Sequence, residues 1–358
     1  MNTDVLIVNA GSSSLKVRLL DQHDQLRASW DEVPSELPDV DVVAHRVVHG
    51  GAQFREAVVM DRDVLEALRA FTPLAPLHQP KSLDAYEEFA KRLPDATHVA
   101  CFDTAFHATI PAPAATYAIP REWTDRYGIR RYGFHGLSHA WASRLAREFA
   151  PDARRVVTCH LGAGASLCAV LDGASVDTTM GFTPLEGLVM ATRSGDIDPG
   201  LVSWLAQREV DVPEALEKRS GLTGLAGTGD MRALLDRADD DARLAVAVYI
   251  HRLRKGIAAM AASLGGVDVC VFTGGVGENS ADIRLQAAAG LGFLGIEVNP
   301  EANAARANGA AVTDISSDDA AARTLVIPAR EDREMARQSR RLLGVAPVDP
   351  SPKSIEPD

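Results

Sequence analysis

Two stretches of this chain echo each other, one at its start and one near its middle. VLIVNAGSSSLKVRLLD, Val5 to Asp21, lines up without gaps against VVTCHLGAGASLCAVLD, Val156 to Asp172. Each reads as an apolar strand, a polar residue, a glycine turn, a second strand and an aspartate. Asn9 falls on His160, Gly11 on Gly162 and Asp21 on Asp172. A strand, turn and strand this tight predict an antiparallel hairpin. Hairpins also share composition by chance, which leaves two unrelated units open, but a chain of 358 residues suits two domains of about 100 to 200 residues each. The favoured expectation is two domains of one design.

Between the hairpins, strands alternate with helices. VDVVAHRVVHGG and THVACFDTAFH read as further strands, and VDVCVFTGG as another after Gly265-Gly266. DRDVLEALRAF gathers Val64, Leu65, Leu68 and Phe71 on one helical face, and SLDAYEEFAKRL gathers Leu83, Tyr86, Ala90 and Leu93. Val246, Ile250, Leu253, Ile257, Met260 and Leu264 recur at helical spacing over Asp241 to Leu264. This alternation predicts an α/β protein, and the early hairpin makes its sheet mixed. The proline-rich segment after Gly344 predicts a frayed tail.

Composition narrows the function. Hydrophobic residues at 46% and charged residues at 24% are ordinary for a globular chain. A net charge of -12 with no basic stripe argues against a nucleic-acid partner. An anionic substrate then needs individually placed arginines. Cys101, Cys159, Cys168 and Cys270 lie in apolar runs without metal-type spacing, as buried reduced thiols do. The Met1 start has no signal-peptide pattern and no segment resembles a membrane span, so the expected compartment is the cytoplasm, with no membrane partner.

Three loops are built almost wholly from small residues: NAGSSS (Asn9 to Ser14), HLGAGAS (His160 to Ser166) and GGVGENS (Gly274 to Ser280). Each follows a strand and lets backbone N–H groups approach an anion, as a nucleotide phosphate requires. None is a Rossmann or Walker A pattern, and glycine turns often only turn. Lys16 follows the first loop as a candidate phosphate contact. Arg46 and Arg193 sit in polar turns where a guanidinium can grip a carboxylate or phosphoryl group, or close a structural ion pair. His135, between Gly133 and Gly136, can donate a hydrogen bond to developing charge. His139 lies four residues on, without a zinc motif; His45, His49, His98, His107 and His251 read as structural or solvated. Asp103 and Glu331 end strands, where a carboxylate can serve Mg²⁺ or cap a helix.

These motifs together resemble the acetate kinases of the acetate and sugar kinase/Hsp70/actin superfamily, from Val5 to about Leu343. The matching strings are VNAGSSSLK, HRVVHGG, CFDTAFH, YGFHGLSH, GFTPLEGLVM, TRSGDIDP and TGGVGENS. The resemblance implies two duplicated ribonuclease H-like (actin-like ATPase) domains, with mixed sheets flanked by helices and a cleft between them. It places an N-terminal domain at 1–105, with the helix at about 331–345 returning to it, a nucleotide-binding domain at 106–330 and a flexible tail at 346–358.

The implied reaction is reversible phosphoryl transfer between ATP and acetate with Mg²⁺ or Mn²⁺, in a homodimer. Asn9 and Glu331 would serve the metal and Lys16 the phosphates. Arg46 and Arg193 would grip the carboxylate and the transferring group, His135 would stabilise the transition state, and Asp103 would be the catalytic acidic residue. The nucleotide would lie across His160, Leu161, Gly162, Ala163 and Gly164, across Asp230, Met231 and Arg232, and across Gly275, Val276, Gly277, Glu278 and Asn279. Val48, Leu77, Phe134 and Pro184 would line the pocket for the acetate methyl group. Ala163 and Arg330 stand where the family usually has Asn, TGDMR replaces a more serine-like run, and the segment from Lys16 to His45 is short. Kinases for propionate or another short acid, a donor other than ATP, and a non-catalytic nucleotide-binding member are the alternatives.

Overall fold

The computed structural model describes residues 4–11, 15–76, 78–305 and 310–345. The chain divides into two compact units. Unit 1 takes Met1–Ala108, Phe134–Trp141 and Arg330–Asp358; unit 2 takes Thr109–Gly133 and Ala142–Ala329. The division differs from the sequence-based one: residues 106–108, 134–141 and Arg330 go with the first unit, which puts Phe134 and His135 in the same unit as Val48. The tail at 346–358, Ser12 to Ser14 and Leu77 lie outside the described residues.

Among the described residues each unit holds one six-stranded sheet. Unit 1 contains β1 (Val5–Ala10), β2 (Leu15–Leu20), β3 (Leu26–Trp30), β4 (Val42–Val47), β5 (Val58–Val59) and β6 (Thr97–Phe102). Unit 2 contains β7 (Arg155–Leu161), β8 (Ala165–Leu171), β9 (Ala174–Thr178), β10 (Val269–Thr273), β11 (Thr313–Asp314) and β12 (Arg323–Val326). The first sheet runs β3-β2-β1-β4-β6-β5. The second, taken from its other edge, runs β9-β8-β7-β10-β12-β11. Pairing senses match throughout: both hairpins are antiparallel, the next two pairings parallel, and the last strand antiparallel.

The duplication extends to an irregularity. The second strand of each hairpin shifts register against the third, between Leu19 and Leu20 in one and between Ala169 and Val170 in the other. Leu19 pairs with Leu6, and Ala169 with Val157, the residues that the echo aligns. The hairpins nevertheless differ by one residue. Ala10 pairs with Leu15 across residues 11–14, whereas Leu161 pairs with Ala165 across 162–164. The gapless alignment therefore fails at the turn. A one-residue slip reverses which face each side chain occupies. It is tolerated because Ala165 to Val170 are buried on both faces, while β2 buries only Val17 and Leu20.

In unit 1 the two faces of the sheet are packed by helices. Val5, Ile7, Ala44, Val99 and Cys101 meet Met335 and Ala336 of the helix Glu331–Leu343. Leu6, Val8, Val17 and Val43 meet Phe89 of the helix Gln79–Arg92. The helix Glu331–Leu343 is matched to its own dipole, with Glu331, Asp332 and Glu334 in its first turn, Arg340 and Arg341 in its last, and Gly344 closing it at φ 68°. In unit 2 the helix Asp240–Leu264 begins on the Asp239 cap and stops at Gly265, as its periodicity predicts, burying Ile250, Leu253, Ile257 and Met260.

Candidate active site

Strand alternation fixes which side chains share a face. In unit 1, Asn9, Arg46 and Asp103 continue the rows of Ile7, Ala44 and Cys101, so near the ends of β1 and β4 and just past β6 they lie on the side of the helix Glu331–Leu343. Arg46 Nε donates to Asp103 Oδ1 at 3.0 Å and Nη2 to Oδ2 at 2.6 Å, a two-pronged grip. Its Nη1 donates to Asn9 Oδ1 at 3.1 Å and lies 3.6 Å from Glu331 Oε2. Asn9 Nδ2 donates to the same Glu331 oxygen at 3.2 Å. The structure thus brings four of the expected residues into one cluster.

Its electrostatics follow from burial. Burial disfavours the charged guanidinium of Arg46, but Asp103 and Glu331 more than restore it, so it titrates above its ordinary range. Burial pushes the Asp103 carboxyl up, with Arg46 pulling against it. A buried pair is kept ionised by this kind of geometry and leaves a stranded charge if one partner goes.

His135 opens the helix Gly136–Phe149 beside this cluster. Its backbone has φ 56°, a region that non-glycine residues enter only when their surroundings impose it. Gly136 N–H donates to the Asp103 carbonyl at 2.8 Å, and a Cβ at Gly136 would stand 2.1 Å from that oxygen. The contact admits only glycine and ties His135 to the end of β6. Val48 and Phe134 are both buried in unit 1, and His49 packs edge-on against Phe134 at 5.6 Å. Gln79, itself buried, holds the turn after Val48 by accepting from His49 N–H at 3.1 Å and donating to the His49 carbonyl at 3.0 Å. Sequence reasoning passes over Gln79, since nothing in its spacing marks it. Lys16 is exposed on β2, paired with Asn9.

Unit 2 holds the remaining expected residues. His160 and Leu161 end β7, and Gly162 to Gly164 form the turn, with Ala163 exposed. The Ala163 carbonyl accepts from Ala191 N–H at 3.1 Å, and the Ala191 carbonyl from Thr223 N–H at 2.9 Å. Gly229, just before Asp230, lies so close to Ala191 that a Cβ would meet the alanine methyl at 2.8 Å. The turn and the Asp230 to Arg232 segment are therefore braced on one residue. Asp230 caps Met231–Leu235 by accepting from Arg232 N–H at 2.9 Å.

On the other side of β7, Thr273 of β10 pairs with His160 and Gly274 follows at φ 77°. The helix Gly274–Asn279 lies on Leu161, and a Cβ at Gly275 would meet nothing within 4 Å. Arg284, buried and unforeseen from sequence, donates to the carbonyls of Gly277 at 2.9 Å and Glu278 at 2.8 Å, which fixes the end of that helix. Glu278 accepts from Ala329 N–H at 2.9 Å, and Asn279 donates to the Gly275 carbonyl at 2.8 Å.

Arg193 differs from Arg46. It is half-buried and donates to the Pro184 carbonyl at 2.8 Å, with the Met190 sulfur at 3.6 Å. Burial lowers its titration, with Glu217 opposing. Its fork is thus not closed by a carboxylate, unlike that of Arg46.

Glu331 Oε2 accepts from Asn9 Nδ2, and Asn9 Oδ1 accepts from Arg46 Nη1, so a carboxylate and an amide oxygen both belong to the cluster. Mg²⁺ prefers hard oxygen ligands, few of them from protein and the rest from water and phosphate. The pair fits that demand. No group of three or more His, Cys, Asp or Glu side chains suited to a metal occurs among the described residues.

Comparison with known proteins adds to this geometry. The sequence profile of the Acetokinase family matches residues 24–337. An acetate kinase from Nostoc punctiforme is 45% identical over 324 residues, 87% of this chain and 79% of the relative. The crystal structure of Porphyromonas gingivalis acetate kinase superposes with a TM-score of 0.86 at 32% identity, covering 95% of this chain and 99% of that one. A propionate kinase structure from Francisella tularensis gives 0.85 at 33% identity, covering 94% and 98%.

Proposed function

Because the chain belongs to the acetokinase family, we propose that it is an acetate kinase, transferring a phosphoryl group reversibly between ATP and acetate to give acetyl phosphate and ADP. The observation that carries this reading is the Arg46 fork, held by Asp103 with Asn9 and Glu331 beside it. It places a guanidinium, held by carboxylates, in a protein of net charge -12.

Acetate is ionised at neutral pH, so the acceptor needs no base. Transfer of this kind asks the protein for positioning and for neutralisation of charge. Arg46 orients the acid carboxylate, and Asp103 keeps the guanidinium in plane rather than removing a proton. Arg193 meets the transferring group, and His135 donates to the charge that grows on it. Mg²⁺, when bound through Glu331 and Asn9, neutralises phosphate charge. Lys16 adds a phosphate contact. The nucleotide lies along Gly162 to Gly164, Asp230 to Arg232 and Gly275 to Asn279, glycine turns and a helix start that all belong to unit 2, which makes unit 2 the nucleotide-binding unit. The family resemblance assigns Val48, Leu77, Phe134 and Pro184 to the methyl group; Leu77 lies outside the described residues.

Propionate is the second reading, favoured by the equal likeness to a propionate kinase structure. One methylene gives only about 1–3 kcal/mol of discrimination. A cytoplasmic homodimer is part of the same proposal, carried over from the family resemblance alone. The four cysteines are free and buried, and among the described residues no helix is long and apolar enough to cross a membrane.

A matrix of phosphoryl donors against short acids tests the reading. ATP with acetate and Mg²⁺ is expected to yield acetyl phosphate, trapped as the hydroxamate. Folded protein that gives none with ATP, or that turns over only with pyrophosphate, overturns it.

A further inference from the structure

The segment Thr179 to Gly187 of unit 2 carries Pro184, whose carbonyl accepts from Arg193. It is held by a polar centre that lies outside the residues assigned so far. Glu186 Oε1 accepts from Arg131 Nη2 at 2.6 Å, and its Oε2 accepts from the Tyr117 hydroxyl. Arg131 Nη1 donates to the carbonyls of Thr179 and Met180, both at 3.2 Å, at the start of the same segment. The Tyr117 hydroxyl accepts from Phe182 N–H at 2.9 Å. Both ends and the middle of the segment thus meet at one carboxylate.

The backbone is shaped around that centre. A Cβ at Gly181 would stand 1.6 Å from Glu186 Oε2 and 2.0 Å from the Tyr117 hydroxyl, so the space of a side chain is already taken. Gly187 has φ 104° and exchanges two bonds with Asp196, at 2.8 Å and 2.9 Å, which closes the stretch that contains Arg193. With Pro184 fixed two residues from both Phe182 and Glu186, the acceptor for the Arg193 guanidinium is fixed as well.

We propose that Glu186, acting through Tyr117 and Arg131, is the positioning residue of Arg193. It sets the Pro184 carbonyl that aims the guanidinium and touches no substrate itself. The inference rests on the reading of Arg193 as a phosphoryl clamp. A misplacement of about 1 Å costs on the order of 100-fold in rate, so Glu186→Ala should lower kcat by about that factor with the KM for ATP changed less than about twofold. Tyr117→Phe, which leaves Arg131 on Glu186, should lose about tenfold.

Two measurements test this. Kinetics of Glu186→Ala, Glu186→Gln, Tyr117→Phe, Arg193→Ala and the double variant Glu186→Ala/Arg193→Ala form a cycle, with near-native circular dichroism required of each. Glu186 acting through Arg193 makes the double variant no slower than Arg193→Ala alone, whereas a merely structural residue gives losses that multiply. Phenylglyoxal modification read by peptide mass spectrometry supplies an arm independent of turnover. Arg193 should be modified at least about fivefold faster in Tyr117→Phe and Glu186→Gln, with Arg46 unchanged as the internal control. Multiplying losses, or an unchanged Arg193 modification rate in both variants, overturns the proposal. Wild-type protein that makes no acetyl phosphate overturns the functional reading instead, and the modification arm still decides the role of Glu186.

Discussion

The two sheets share one strand order, one set of pairing senses and one bulge, yet their strand ends carry opposite chemistry. Registers equate β4 with β10 and β6 with β12, because Val5 pairs with Val42 as Val156 does with Val269, and Val42 pairs with Thr97 as Val269 does with Arg323. Asn9, Arg46 and Asp103 in unit 1 therefore correspond to His160, Thr273 and Ala329 in unit 2. A charged grip on one side corresponds to His160, Thr273 and Ala329 on the other, beside the glycine turns that we propose for the nucleotide. The frame survives duplication because its core alternation is set by apolar residues; the ends, free of that constraint, are where the halves diverge.

The largest effect that could break this contrast is removal of the charge grip. Asp103→Ala leaves Arg46 buried without its two-pronged partner, and losing one member of a buried pair costs about 3–5 kcal/mol. Urea unfolding should show this in unit 1, together with loss of turnover; a loss under about 1 kcal/mol would make the pair a surface-like contact. Next comes His135→Ala, which should lower kcat by about 100- to 1,000-fold, the range for removing one donor to developing charge. A change confined to KM would contradict that role.

Acid should separate the units. Among the described residues the buried histidines, His45, His49, His98, His107 and His139, all belong to unit 1, whereas His160 is half-buried and His251 exposed. Burial holds His49 down to about 4, and burial, then His98, holds His45 well below its ordinary range. Unfolded histidine titrates near 6.5. Between about 6.5 and 4 the unfolded chain binds more protons, so stability is full above that window and is lost as pH falls through it. His49 alone accounts for about 3 kcal/mol at most. Hydrogen exchange at pH 5 should open unit 1 before unit 2; the reverse order would refute the contrast. The smallest effect is in unit 2, where the Thr273 hydroxyl is buried without a hydrogen-bond partner. Thr273→Val should leave stability unchanged or raise it by up to about 1 kcal/mol, measured by thermal melting.

Much of this frame is legible in the sequence, for local reasons. The hairpins, the glycine turns and the helix Asp240–Leu264 announce themselves by pattern and caps within a few residues. The Arg46 and Asp103 pairing does not, since the partners are 57 positions apart and meet only because β4 and β6 lie side by side. Glu331 joins them from the far end of the chain, an association that spacing cannot carry and that only family resemblance supplies. The one-residue slip between the hairpins stays hidden because β8 is apolar on both faces. Glu186 and Tyr117, 69 positions apart, leave a trace only in Gly181, a glycine that reads as a turn and is in fact an occupied space.

The strands that close each sheet on the carboxylate side, β5 and β11, are two residues long and antiparallel to their neighbours. An open edge of parallel strands would offer a row of unpaired N–H and C=O groups to any passing chain. Two residues occupy part of the edge of β6 and of β12 while presenting too short a template for a further strand. Each half thus carries, at that edge, its own stop against runaway strand addition.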